Sequence, residues 1–155
     1  MRLCRFDNDR LGLVEGSDVI DVSAALDGLP AQRWPVPLGD ALIAALEQLR
    51  PAIAAAARSG RRRPVSSVAL HSPVANPSKI IGAPINYKDH LEESKKDPGI
   101  AHGRNIPTIG AWGLFLKANS ALVGPSQGVA LRFPDRRNDH EVELAVVIGR
   151  PGTNI

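Results

Sequence analysis

The stretch NDHEVELAVVIG, residues 138–149, constrains this chain more than any other. Side chains alternate along a strand, so Glu141 and Glu143, two positions apart, point the same way. Carboxylates held side by side repel each other and resist burial unless positive charge lies between them. The apolar run that follows, Leu144–Ile148, is that of a buried strand. The spacing therefore predicts a strand whose acidic mouth either receives a cation or opens to solvent, with RRNDH just upstream for ion-pair partners. Hard carboxylate oxygens suit Mg2+, Mn2+ or Ca2+ and not zinc. His140 faces the opposite way and is not counted as a ligand.

A chain of 155 residues is one ordinary domain or two small lobes, and 43% hydrophobic with 23% charged residues is globular composition. Apolar stretches such as 144–148 are far too short to cross a bilayer, and MRLCRFDNDR lacks the apolar core of a secretion signal. Cys4 is the single cysteine, so no intrachain disulfide forms, in keeping with a reducing, cytoplasmic setting. The basic residues gather in RSGRRR, residues 58–63, which reads as a solvated linker or as a short polyanion-binding cluster through Arg58 and Arg61–Arg63. With aromatics at 4% and no reading helix, nucleic acid is not an expected partner.

Along the chain, RLCRF and RLGLVEG are strand candidates around the turn DND, and SDVIDVS follows the turn at Gly16. Leu42, Ile43, Leu46 and Leu49 have helical spacing over 38–50, and Pro51 is placed to open a second helix ending at Gly60. Prolines and polar residues between 60 and 78 mark connecting chain, which divides a lobe of residues 1–72 from a β-rich one of 73–155. In the second lobe SKIIGAPIN reads as a short buried strand, NYKDHLEESKKD as a helix capped by Asn86, and GLFLKANSALVGP and HEVELAVVIGR as strands. The expected class is α+β, rich in β structure.

Three segments carry chemistry. On the helix from about Tyr87 to Lys96, His90 and Glu93 are three apart and share a face, so a carboxylate lies against an imidazole. That pair either raises the basicity of a histidine that takes a proton from water, or is a fortuitous surface contact. Lys117 interrupts an apolar strand, as an edge gatekeeper or as an anion-binding residue. Ser120 has no base nearby and suits substrate contact or turn capping. The Gly- and Pro-rich segment 94–112, with His102 and Arg104, reads as a cover over the site or as an ordinary surface loop.

Taken in order, KIIGAPINYKDHLEE, GLFLKANSALVGP and DHEVELAVVIGR resemble the fumarylacetoacetate hydrolase family, most densely over residues 79–150. The N-terminal lobe is similar to the small lobe that precedes the catalytic domain in bacterial members. The resemblance implies a mixed β-roll following a small α/β lobe, a homodimer, and a Mg2+ or Mn2+ ion, with Ca2+ in some members. It implies Glu141 and Glu143 as metal ligands, Asp89 as a further one in some members, and His90 with Glu93 as the catalytic dyad. Lys117 would offset substrate charge, with Tyr87, Ser120 and Arg104 at the substrate. The implied substrate is a small anionic 2-oxo or 1,3-dicarbonyl acid, and the chemistry is hydrolysis of a carbon–carbon bond, decarboxylation, isomerisation or hydration through a metal-held enolate.

The family pattern places a third metal carboxylate, an aspartate, beyond the E-x-E strand, and this sequence reaches Ile155 before one appears. The expectation is an incomplete site and an inactive 155-residue chain, the N-terminal part of a longer enzyme. The competing readings are a scaffold remnant or binding protein of the same fold, and the polyanion binder.

Overall fold

The structure, a computed structural model, describes residues 1–154. It divides into two compact units, Met1–Pro77 with Leu122–Ile155, and Ser78–Ala121. Each is built from short antiparallel pairings and short helices.

The first unit is organised by a five-stranded sheet in the order β4-β3-β2-β1-β5. Its strands are β1 (Leu3–Phe6), β2 (Arg10–Glu15), β3 (Asp18–Asp21), β4 (Arg62–Pro64) and β5 (Leu70–His71). The expected turns set the register. Asp7 and Asp9 take positive φ, 47° and 58°, a conformation aspartate tolerates, and Phe6 then pairs with Arg10. Gly16, at φ 59°, opens the two-residue turn that pairs Glu15 with Asp18.

Period-2 alternation sorts the sheet into two faces. Leu11, Leu13 and Ile20 lie on one and form a buried core with Val22, Ala25, Leu49 and Ile53. Ala25 comes from a 3-10 stretch over Ser23–Gly28, and Leu49 and Ile53, one helical turn apart, from α2 (Leu46–Ala56). On the other face Phe6 and Val19 are buried, and a Cβ on Gly12 would strike Val19 and Cys4. Gly12 is thus fixed by close approach, not by turn geometry.

Three local expectations are corrected here. The helical region breaks at Ala45, between α1 (Ala41–Ala44) and α2, and Pro51 lies inside α2. Burial of both Leu49 and Ile53 against the sheet holds the helix continuous across the proline, at the loss of one backbone hydrogen bond. Second, the solvated linker expected over 58–63 is largely exposed, as expected, but its last two residues are part of the sheet in β4. Arg62 in β4 pairs with Glu15 at 2.8 Å and Asp18 at 3.5 Å, and Arg63 pairs with Asp7 at 2.7 Å. Two of the basic side chains needed for a polyanion site are therefore engaged within the fold.

The third correction concerns HEVELAVVIGR. After Ser126, which exchanges two hydrogen bonds with Leu70 of the edge strand β5, no helix or strand is found among the described residues. Val142, Leu144, Val146 and Ile148, one side of the expected strand, are exposed at 93%, 82%, 78% and 75%. A strand exists only by pairing, and no described strand lies alongside this segment.

The second unit holds β6 (Ile80–Gly82) paired antiparallel with β7 (Phe115–Lys117). Between them come α3 (Lys88–Lys96), α4 (Pro98–Ala101) and α5 (Ile109–Trp112). Gly82 sits where a Cβ would meet the Phe115 ring, so the glycine admits the aromatic side chain across the pair. Ile81 is 57% exposed, so β6 is not the buried strand its composition suggests. Residues 98–112 are partly helical, anchored by buried Ala101 and Ile106.

Candidate functional site

The best-formed candidate element is α3. Its N-cap is Tyr87, not Asn86, and no side chain caps it. Asp89 in its first turn and Lys95 and Lys96 in its last complement the helix dipole, which favours the helix without a cap bond. Glu92 and Lys95 close an ion pair at 2.7 Å, and hydrogen bonding from that lysine draws the Glu92 carboxyl below its usual range.

His90 and Glu93 share a face of α3 as their spacing requires, with Nδ1 4.0 Å from Glu93 Oε2. That separation is an ion-pair distance, beyond hydrogen-bond length. The imidazole is mostly covered, at 24% exposure, whereas Glu93 is open at 81%. Such a carboxylate can orient and charge-stabilise the ring while remaining wet. Ser94, the next residue, is fully buried, and its hydroxyl finds no hydrogen-bond partner among the described residues. Sequence reasoning missed it: its position one helical turn from His90 was the available signal, but a serine in a polar helix reads as surface.

Lys117 ends β7 opposite Ile80, and Ser120 lies in the 3-10 turn Asn119–Ala121 that follows. Asn119 donates from Nδ2 to the Ser78 carbonyl at 3.4 Å, tying that turn to the start of β6. Arg104 follows α4: its amide donates to the Ala101 carbonyl at 2.8 Å and its side chain is exposed. His102 takes φ 47° as the C-cap of α4, a backbone role.

Glu141 and Glu143 lie in an exposed segment of the first unit that forms neither helix nor strand. Tyr87, Asp89, His90, Glu93, Arg104, Lys117 and Ser120 all lie in the second. Among the described residues no three His, Cys, Asp or Glu side chains converge as a metal set. The chemistry of the glutamate pair nevertheless fits a divalent ion: two hard-oxygen carboxylates at i and i+2 fall on one side whenever this segment is extended. They supply part of a shell, and water, substrate or further residues must complete it.

The family described as Fumarylacetoacetate (FAA) hydrolase C-terminal matches residues 79–155. A maleylpyruvate hydrolase of Aquipseudomonas alcaligenes is 50% identical over 157 residues, taking in 100% of this chain and 55% of its own length. The mitochondrial oxaloacetate tautomerase fahd2 of Xenopus laevis is 32% identical over 163 residues, 100% of this chain and 46% of that protein. Among solved structures, a maleylpyruvate hydrolase from Sphingobium sp. SYK-6 in complex with manganese(II) and pyruvate superimposes with a TM-score of 0.57 at 40% identity. That match covers 84% of this chain and 42% of the other. The chain thus spans about half the length of the relatives it matches.

Proposed function

This chain belongs to the fumarylacetoacetate hydrolase family, and on that premise we propose that the whole protein is a metal-dependent hydrolase of a maleylpyruvate-like oxo-acid. The observation that carries the reading is 50% identity to a maleylpyruvate hydrolase across the entire chain. Glu141, Glu143 and, in a lesser role, Asp89 would hold Mg2+ or Mn2+, with Ca2+ as a third choice. The Sphingobium relative's manganese and pyruvate support that choice of ion and of anionic ligand. When bound, the ion supplies Lewis-acid polarisation of the substrate's oxo-carboxylate.

The remaining steps belong to this chain's side chains. His90, charge-stabilised by Glu93, takes a proton from water, whose oxygen adds to the distal carbonyl carbon. The carbon–carbon bond between that carbonyl and the pyruvate half breaks, and its electron pair passes to the pyruvate half. The proton held by His90 passes to the terminal carbon of the pyruvate half, completing its methyl group, and the distal half leaves as a carboxylic acid. Lys117 offsets charge on the substrate carboxylates, with Tyr87, Arg104 and Ser120 as its further contacts. The division of labour assigns 1–72 to a small lobe and 73–155 to the catalytic domain, whose E-x-E segment becomes a paired strand of the roll. A homodimer working in the reducing cytoplasm completes the proposal.

Pyruvate release from maleylpyruvate by the whole protein, assayed with Mn2+, tests it. His90→Gln should lower kcat by about 10²–10⁴-fold, the usual weight of a general base. Unchanged kcat in that variant would remove His90 from the reaction. Oxaloacetate tautomerisation is the second reading, favoured by the Xenopus relative. Loss of the enol absorbance of oxaloacetate, without pyruvate release from maleylpyruvate, would select it.

A further inference from the structure

An open groove of about 530 Å³ lies on the first unit, between the core-side face of β1 and β2 and the segments 26–32, 39–42 and 73–76. Its volume falls within the range typical of small-molecule sites. Leu3, Leu11, Leu26, Leu29 and Leu42 give it apolar walls, yet Arg5 is placed among them. Leu3 and Arg5 alternate onto the face that carries Leu11 and Leu13, where an arginine is out of keeping with its neighbours.

Arg5 is poorly satisfied there. Its side chain is 23% exposed, and its buried Nε makes no hydrogen bond among the described residues, its charged contact being the Asp9 carboxylate. Its ion-pair contact is Asp9, at 3.3 Å and 80% exposed, and such a solvated pair contributes little. The other charges on the wall are engaged. Arg10 binds Asp21 at 2.8 Å. Asp40 accepts from the amides of Leu42 and Ile43 through one oxygen and from that of Ala75 through the other. A largely covered guanidinium whose one charged contact among the described residues is an exposed carboxylate, lining an open and mainly apolar groove, is matched by an anion carrying an apolar body.

We propose that this groove binds a compact monocarboxylate with an aromatic or branched apolar body, its carboxylate on Arg5 and its body against the leucines. Asp9 and Asp40 are also among the groove's lining residues and oppose a dianion or phosphate, which favours a single negative charge. The groove lies wholly in Met1–Pro77, shares no residue with the candidate catalytic set, and the proposal does not rest on the enzymatic reading.

Two probes of matched shape test it on the ¹⁵N-labelled full chain: benzoate and benzyl alcohol, followed at the amides of Leu11, Gly39, Asp40 and Leu42. The expected result is saturable movement of these amides with benzoate, weakened about tenfold or more by Arg5→Gln and comparably weaker with benzyl alcohol. No movement at millimolar benzoate, equal affinity for benzyl alcohol, or an unchanged response in Arg5→Gln overturns the proposal. Should Arg5→Gln fail to fold, comparing the two probes on the unaltered chain decides alone.

Discussion

At the scale of single residues, Asp7 ties the β1–β2 turn to residues 63–71, far along the first unit's chain. One oxygen accepts from the Ala69 amide at 2.9 Å and the other from Arg63 at 2.7 Å, while its own carbonyl meets the His71 ring. The Ala69 amide, then Arg63, holds the Asp7 carboxyl below the ordinary aspartate range. Burial opposes the same shift at Asp21, but hydrogen bonds from Ser23 and Arg10 outweigh it. A carboxyl depressed in the folded state adds stability that is complete above its unfolded value, about 4, and is lost as pH falls through the folded value. Asp7→Asn should therefore lower the melting temperature at neutral pH and shrink the difference between pH 6 and pH 3. Equal losses at both pH values would show that charge is not the cause. DND was legible as a turn from composition alone, but its partnership with residues 63, 69 and 71 was not. That bond set joins positions more than fifty residues apart, and no local pattern marks it.

At the scale of elements, what could be read depended on whether burial is local. The hairpins β1–β2 and β2–β3 were legible because turn residues and alternation fall in one short window. So was the His90–Glu93 face of α3, since helical geometry alone dictates it. Pro51 was misread because packing of Leu49 and Ile53 overrides a backbone preference. Ile53→Ala should accordingly cost about 2–5 kcal/mol in denaturant unfolding, the range for a fully buried large-to-small change. Gly12→Ala should cost about 1–3 kcal/mol through overpacking against Val19 and Cys4. A neutral result at either position would mean that the sheet faces relax more than their burial implies. The segment 138–149 has the composition of a strand, but it joins neither described sheet. The amides of Val146, Val147 and Ile148 should exchange with solvent faster than those of β2, which is paired on both sides, by hydrogen exchange. Protection across 142–148 would show that the segment finds a neighbour.

At the scale of the whole molecule, the residues that resemble a catalytic set are distributed over both units. The resemblance that their segments carry was legible, and the family matches residues 79–155. Whether they converge was not legible, because assembly of a β-roll depends on pairings that no single segment specifies. The exposed face of Val142, Leu144, Val146 and Ile148 forgoes roughly 1.5–3 kcal/mol per side chain relative to burial, a strong drive to be covered. Covering that face would hold the segment extended and place Glu141 and Glu143 side by side, which is what a divalent ion requires. The direct measurement is an Mn2+ titration of the whole protein, reading free Mn2+ by electron paramagnetic resonance, beside Glu141→Gln and Glu143→Gln. The account predicts that each substitution weakens Mn2+ binding about tenfold or more, since each removes a charged ligand. Binding of equal strength in all three proteins would contradict it.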